Sequence, residues 1–330
     1  MTAEPRPKRF PPPEFPPRRA PAFSRTPPAV FPVLLGMCGL ALALRVGLSE
    51  LGLPPAPADL VAGLVVAFWA FGLLAYGLKL VRRPAVLFDD LKVMPARAGL
   101  SAASMGGMVA AALLAPFTAG LATGLLLASL ALHAILALLV LRVLVSLPPV
   151  ARAANPGWHL TFTGFIVAGP AAIALGHQDL ALWLMYGTMP VAAAIWGISL
   201  VQLARRIPPA PLRPMLAIHL APAALYAIVA TGTGQDAPAL AFLGLATAIL
   251  LALGLASRWI LASGFSPLWG AFTFPLAAAA TAFTLQEGPL AWVGLALLGA
   301  ALIGVPTIAW KVLRLWPGGE LAARTNAAEA

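Results

Sequence analysis

The side chains best suited to acid–base or metal chemistry are four histidines and one cysteine: His133, His159, His177, His219 and Cys38. The histidines are scattered over different apolar stretches and lack the spacing of metal ligands on one helix. The single cysteine lies inside an apolar run, which excludes an intrachain disulfide or a cysteine metal cluster and indicates a packing residue. No HExxH, GxSxG or apolar-stretch Asp pair occurs. The sequence therefore predicts no enzyme, no cofactor and no metal site.

The composition indicates the setting in which these side chains lie. Of 330 residues, 61% are hydrophobic and 10% are charged, and the mean hydropathy is +0.91. Soluble domains carry about a quarter charged residues, so this chain is predicted to be an integral membrane protein in contact with the lipid bilayer. The net charge of +10 does not indicate a nucleic-acid partner, because the basic residues form short clusters between apolar spans.

Ten apolar segments follow one another along the chain, each near the roughly 20 residues needed to cross a bilayer. We therefore expect an all-α membrane domain of ten transmembrane helices over residues 30–315, between a disordered Pro/Arg-rich tail at 1–29 and a second tail at 316–330. The predicted segments are 30–51, 58–81, 99–116, 118–141, 158–176, 179–203, 214–232, 237–261, 267–286 and 288–315.

The positive charges are distributed on one side of this predicted topology. If the amino terminus is cytoplasmic, 20 of the 21 Lys and Arg residues lie in the tails, the cytoplasmic loops or the adjoining helix ends. The positive-inside rule then predicts that both termini are cytoplasmic. Only Arg45 falls toward the other side, where it either attracts anions at an outer mouth or extends its side chain to the interface.

A periodicity links the odd-numbered segments, which carry a proline or paired glycines at a similar depth, whereas the even-numbered ones are mostly uninterrupted Leu, Ala and Val. The pattern predicts five helical hairpins, with the kinked helices inside, around a central pore, and the plain helices facing lipid. The residues concerned are Pro32, Gly106, Gly107, Pro170, Pro222 and Pro275.

Four stretches resemble a known family: "FPVLLGMCGLALALR", "ALGHQDLALWLMYG", "LRPMLAIHLAPAALY" and "LWGAFTFPLAAAATAFT". They are similar to the tellurite-resistance/dicarboxylate transporter family, which includes bacterial TehA proteins, yeast malate and sulfite transporters and slow-type anion channels of plant guard cells. The likeness covers the membrane region and excludes the amino-terminal tail. It implies a ten-helix fold with quasi-five-fold symmetry, odd-numbered helices around a central pore, and a homotrimer; we expect it in the bacterial cytoplasmic (inner) membrane.

The resemblance also implies a role for Phe274. In the family, the phenylalanine directly before the proline of the ninth helix projects into the pore and plugs it. Phe274 occupies this position in "AFTFP", and Pro275 would supply the bend that directs it. From the sequence alone, Phe274 is either a packing aromatic or a pore residue, and the motif favours the second. Phe272 lies about 200° away around a helix, so it should face elsewhere.

The predicted helix centres almost lack charge, which favours a neutral pore for anions over a cation pathway lined by acidic residues. His219, three residues before Pro222, is interpreted either as a pore-facing, pH-sensitive group or as a packing residue. The resemblance leaves two functions open. One is a channel for small inorganic anions; the other is a proton-coupled carrier of C4-dicarboxylates, sulfite or tellurite.

Overall fold

A computed structural model describes residues 21–148 and 152–330, and every regular element in these residues is helical. Residues 1–20, which make up most of the predicted amino-terminal tail, and residues 149–151 lie outside the described residues. The α-helices are α1 Phe31–Glu50, α2 Ala56–Arg82, α3 Val86–Lys92, α4 Met94–Leu114, α5 Ala119–Ser146, α6 Gly169–Ala174, α7 Gln178–Arg205, α8 Leu220–Gly232, α9 Asp236–Leu255, α10 Ser257–Ile260, α11 Thr273–Thr284, α12 Pro289–Leu313 and α13 Glu320–Arg324.

Eight helical stretches of the described residues are long and apolar enough to cross a membrane, which agrees with the predicted integral membrane class. They are Pro28–Glu50, Ala56–Arg82, Met94–Leu114, Ala119–Ser146, Gln178–Arg205, Ala210–Gly232, Asp236–Leu255 and Pro289–Leu313. The other two predicted spans are also helical, but each combines helix types. His159–Ala174 is a shorter apolar helix, and the other stretch runs from Pro267 to Thr284.

Three stretches change helix type along their length. Ala210–His219 and Pro267–Phe272 are 3-10 helices that lead into α8 and α11. A π-helical turn at His159–Thr163 and a 3-10 helix at Gly164–Ala168 precede α6. Pro170, Pro222 and Pro275 are each the second or third residue of the α-helix that follows.

This placement corrects the expected mid-helix kinks. A proline in the first turn of an α-helix does not interrupt the backbone hydrogen bonds within that helix, because the first N–H groups have no intrahelical partner. Pro32 also lies in the first turn of its helix, α1. These prolines therefore mark where regular α-helix begins. The expectation of plain even-numbered helices also fails at two positions, since Pro190 and Pro306 lie inside α7 and α12.

Five stretches contact one another in a closed ring, and we call them the ring segments. In chain order they are α1, α4, 159–174, 210–232 and 267–284, and the fifth packs against the first. Glycines allow close approach at two of these contacts. An added Cβ would lie 2.1 Å from Thr273 Oγ1 at Gly36 and 2.3 Å from Val229 Cγ2 at Gly169.

A long helix follows each ring segment and packs against it, and we call α2, α5, α7, α9 and α12 the outer helices. In their most apolar stretches, only 17–33% of the residues of each outer helix are buried, against 67–89% for the first, second and fourth ring segments. The outer helices therefore present apolar surface outward, as a lipid-facing layer does.

The two ends of the described chain meet around a buried ion pair. Lys79 Nζ lies 2.9 Å from Asp90 Oδ2, and both side chains are fully buried. Lys79 also donates to the carbonyl of Thr26, while the other Asp90 oxygen accepts the backbone N–H of Ala328. Residues 21–29 and 320–330, which the composition assigned to the tails, thus pack on the helical body in this structure.

Candidate functional site

Two cavities lie inside the ring. The volume open to the centre of a water-sized sphere is about 80 Å³ in the large cavity and about 20 Å³ in the small cavity. The first has room for several waters and the second for about one, since a water needs roughly 10–15 Å³ on this measure. In the part of the chain that the structure describes, only Val167, Leu225 and Phe274 line both cavities. These three side chains, which we call the constriction, form the wall between them.

The cavities show that the ring segments run in the same direction. The large cavity is lined by early residues of each segment, among them Pro32, Pro95, His159, Met215 and Leu268. The small cavity is lined by later residues, among them Leu42, Ala112, Pro170, Ile228 and Thr281. All five segments therefore begin at the large cavity and point their amino-terminal ends toward it.

Phe274 is held in the constriction by a glycine on α1. Only 7% of Phe274 is exposed, and an added Cβ at Gly39 would lie 2.8 Å from its ring Cδ2. The preceding residue fixes the backbone, because the Thr273 hydroxyl donates to the carbonyl of Gly270 at 2.7 Å. Sequence reasoning missed Gly39, although it lies in "FPVLLGMCGLALALR", one of the stretches that carry the family resemblance.

Phe272, two residues earlier, has different surroundings. Its ring lies 6.1 Å from that of Trp269 in an edge-on contact, it is half-buried, and it lines neither cavity. The two aromatics therefore face different ways, as their spacing on a helix predicts.

The four prolines line the cavities, whereas the paired glycines do not. Pro32, Pro222 and Pro275 line the large cavity and Pro170 lines the small one. The expectation that Gly106 and Gly107 line the lumen is corrected: they lie against the outer helices. An added Cβ at Gly106 would lie 2.5 Å from Trp69 Nε1, and one at Gly107 would lie 2.2 Å from Ser129 Oγ.

Arg45 is paired, so it is not the free charge of the first of its two sequence interpretations, attraction of anions at an outer mouth. Its Nη2 lies 2.8 Å from Asp59 Oδ1 and donates to the carbonyl of Leu113 at 3.1 Å. The guanidinium also lies 5.8 Å from the ring centroid of Phe117. Arg45 therefore ties α1 to α2 and α4, and its charge is neutralised by Asp59.

Two of the four histidines come together, which the sequence spacing did not predict. His159 Nε2 lies 3.0 Å from His219 Nδ1, and the Trp196 indole donates to the carbonyl of His219. His159 lines the large cavity, and His219 lies behind it. The residues are 60 positions apart and belong to different ring segments, so only the closed ring brings them into contact.

The remaining candidates are packing or surface groups. His133 Nδ1 lies 2.8 Å from Ser104 Oγ, His177 is exposed at the start of α7, and Cys38 is fully buried against the carbonyl of Val65. Among the described residues, no group of three or more His, Cys, Asp or Glu is arranged to hold a metal ion.

The lining of both cavities is nearly neutral. It consists mainly of Ala, Pro, Leu, Ile, Val, Met and Phe, and no Asp, Glu, Lys or Arg of the described residues contributes to it. Its polar side chains are His159, Thr163, Thr281 and Thr325.

Residues 25–314 match the family model described as voltage-dependent anion channel. The chain belongs to this family. It includes TehA-like proteins and homologues of the plant slow-type anion channels, so the resemblance is confirmed. A comparison with curated proteins finds no match. Members of the family are channels and transporters, and the chain is therefore assigned in general terms to anion transport across a membrane.

Proposed function

We propose that this protein is a TehA-type channel for small inorganic anions, with a pore along the axis of the ring segments that Phe274 closes. The observation that carries the proposal is the position of Phe274, which lines both cavities together with Val167 and Leu225. Removal of this ring would join the cavities into one path.

The proposed architecture is ten membrane crossings arranged as five hairpins, each a ring segment followed by an outer helix. The closed ring of contacts and the difference in burial between ring and outer helices support it. The basic loops favour cytoplasmic termini in a bacterial inner membrane, with the large cavity facing the cytoplasm. The exposed outer helices leave surface for the homotrimer that the family resemblance suggests.

Two features of the large cavity suit anions. The parallel ring segments direct the positive ends of their helix dipoles toward it. No carboxylate of the described residues lines either cavity, so the path has no acidic ring of the kind that attracts cations. With a neutral wall, ions would be selected by their size and hydration.

The second candidate function is a proton-coupled carrier of C4-dicarboxylates, sulfite or tellurite. His159 favours it, because it places a group that can bind a proton in the wall of the large cavity. A carrier would saturate with substrate and move protons with it, whereas a channel would pass current down the anion gradient alone.

The reversal potential tests the proposal. Purified protein carrying Phe274→Ala, in a planar bilayer with a potassium chloride gradient, should give a current that reverses near the chloride equilibrium potential. The parent serves as the closed reference. Reversal near the potassium potential, or proton movement matched to saturating anion uptake, would contradict an anion channel.

A further inference from the structure

His159 and His219 are titratable side chains in contact with each other, which an inert pore wall would not require. The His159 and His219 rings meet edge-on, with centroids 5.0 Å apart. His159 Nδ1 lies 3.2 Å from Thr163 Oγ1, and the Thr163 hydroxyl lies 2.8 Å from the carbonyl of His159. Thr163, His159 and His219 thus form a chain of three polar side chains, of which Thr163 and His159 line the large cavity.

The hydrogen bonds fix where the protons lie. The single hydroxyl proton of Thr163 is donated to the His159 carbonyl, so Thr163 Oγ1 accepts from His159 Nδ1–H. Neutral His159 then has a lone pair on Nε2, which accepts from His219 Nδ1–H. In neutral His219 the remaining lone pair is therefore on Nε2, an atom that is buried and has no hydrogen-bond partner.

An added proton would bind at this free lone pair. The pair would then carry one positive charge, on His219 or, after transfer of the proton along the 3.0 Å hydrogen bond between them, on His159 in the wall of the large cavity. A buried charge is costly unless an opposite charge accompanies it. A small anion in the large cavity would supply that charge.

Among the described residues, the surrounding helices supply no carboxylate close to the pair. Asp179 and Asp236 lie in the first turns of α7 and α9, and a hydrogen bond from Tyr186 to Gln235 shows that these two helix ends are neighbours. Trp196, which contacts both histidines, follows Asp179 by 17 positions on α7, or about 26 Å along the helix.

The other titratable groups on the packed elements are engaged elsewhere. Arg97 on α4 donates to the carbonyls of Leu91 and Lys92, and Arg213 donates to those of Pro208 and Trp259. His133 on α5 is bonded to Ser104, and Tyr226 on α8 donates to Thr188. The remaining arginines on these elements are exposed at the surface: Arg142 on α5, Arg205 on α7 and Arg258 on α10. The counter-charge for a protonated pair must therefore enter from the large cavity.

We propose that His159 and His219 form an anion-binding site in the large cavity that is filled by a small inorganic anion when the pair carries an extra proton. The inference rests on the proposed function, because it takes the large cavity as part of the anion path. Proton and anion binding are then linked, and each raises the affinity for the other. Anion affinity should rise as the pH falls.

The hydrogen bonds of the histidine pair determine which substitutions test the proposed site. His219→Asn keeps an N–H donor near the place of Nδ1 but cannot bind a proton. His133→Asn makes the same change at a buried histidine outside both cavities. His159→Gln replaces the other member of the pair, and it is the test variant if His219→Asn does not fold.

The test is the stabilisation of the purified full-length protein by chloride in detergent, with gluconate at equal ionic strength as the reference. Because proton and anion binding are linked, the parent and His133→Asn should need roughly tenfold less chloride for half of the rise in Tm at about pH 5 than at about pH 8. His219→Asn should show no such difference. A pH-independent parent, or a pH dependence kept in full by folded His219→Asn or His159→Gln, would overturn the site.

Current recordings on the same proteins separate this inference from the proposed function. Chloride stabilisation that depends on pH and on His219, in a protein whose Phe274→Ala form passes no anion current, would support the site and contradict the channel. Chloride current without the pH-dependent stabilisation would support the channel and contradict the site.

Discussion

The ring of Phe274 lies against Gly39, at a distance that leaves no room for a Cβ atom on that residue. Because Gly39 belongs to the first ring segment and Phe274 to the fifth, this contact closes the ring at the constriction. The position of the aromatic is therefore determined by a residue 235 positions away, as well as by the proline that follows it.

Substitution of Gly39 should act through Phe274. A Gly39→Ala side chain would press on the ring, and overpacking of this kind costs typically 1–3 kcal/mol of stability. In a Phe274→Ala background the methyl group has space, so most of that cost should disappear. Melting temperatures of the parent, the two single variants and the double variant give the coupling. Additive effects would show that the two residues are not in contact.

The paired glycines should matter for packing and not for conduction. Gly107→Ala would force Ser129 and the Trp69 ring apart from α4, so we expect a loss of roughly 1–3 kcal/mol. Gly124→Ala on α5 is the matched control, because nothing lies within 4 Å of its added Cβ and alanine favours the helix. A Gly107→Ala protein of normal stability with an altered single-channel conductance would show that Gly107 lines the pore and contradict the packing role.

The all-helical membrane class could be predicted from the sequence because hydropathy is a local property of the chain. Pro32, Pro170, Pro222, Pro275 and Phe274, which the repeated pattern and the family motif singled out, line the two cavities. Whether Phe274 acts as a gate stays a prediction.

The residues that pack against each glycine could not be predicted from the sequence in the same way. Gly39 and Gly107 look alike in a sequence, but one lies against an aromatic from another ring segment and the other against the outer helices. Likewise, Arg45 pairs with Asp59 and His219 contacts His159, and only the folded chain brings these partners together.

The buried ion pair between Lys79 and Asp90 should be needed for the packing of both chain ends. Removing one partner leaves the other charge buried, which costs about 3–5 kcal/mol, so Lys79→Met or Asp90→Leu should lower Tm strongly. The double variant should be more stable than the sum of the two losses predicts. Lys92→Ala removes an exposed ion pair with Asp89 and should change stability by at most about 1 kcal/mol. Equal small losses at Lys79 and Lys92 would contradict this account.

The most direct test of the central claim is the anion current of Phe274→Ala beside that of Phe283→Ala, which removes a fully packed ring from the same helix. If Phe274 closes the path, its removal should raise chloride conductance in planar bilayers with little change in Tm. Phe283→Ala should cost roughly 3–5 kcal/mol without opening the path. Phe272→Ala, outside both cavities, should leave the current at the level of the parent. An unchanged current with a large loss of stability in Phe274→Ala would show that the ring is core packing and that the constriction is not a gate.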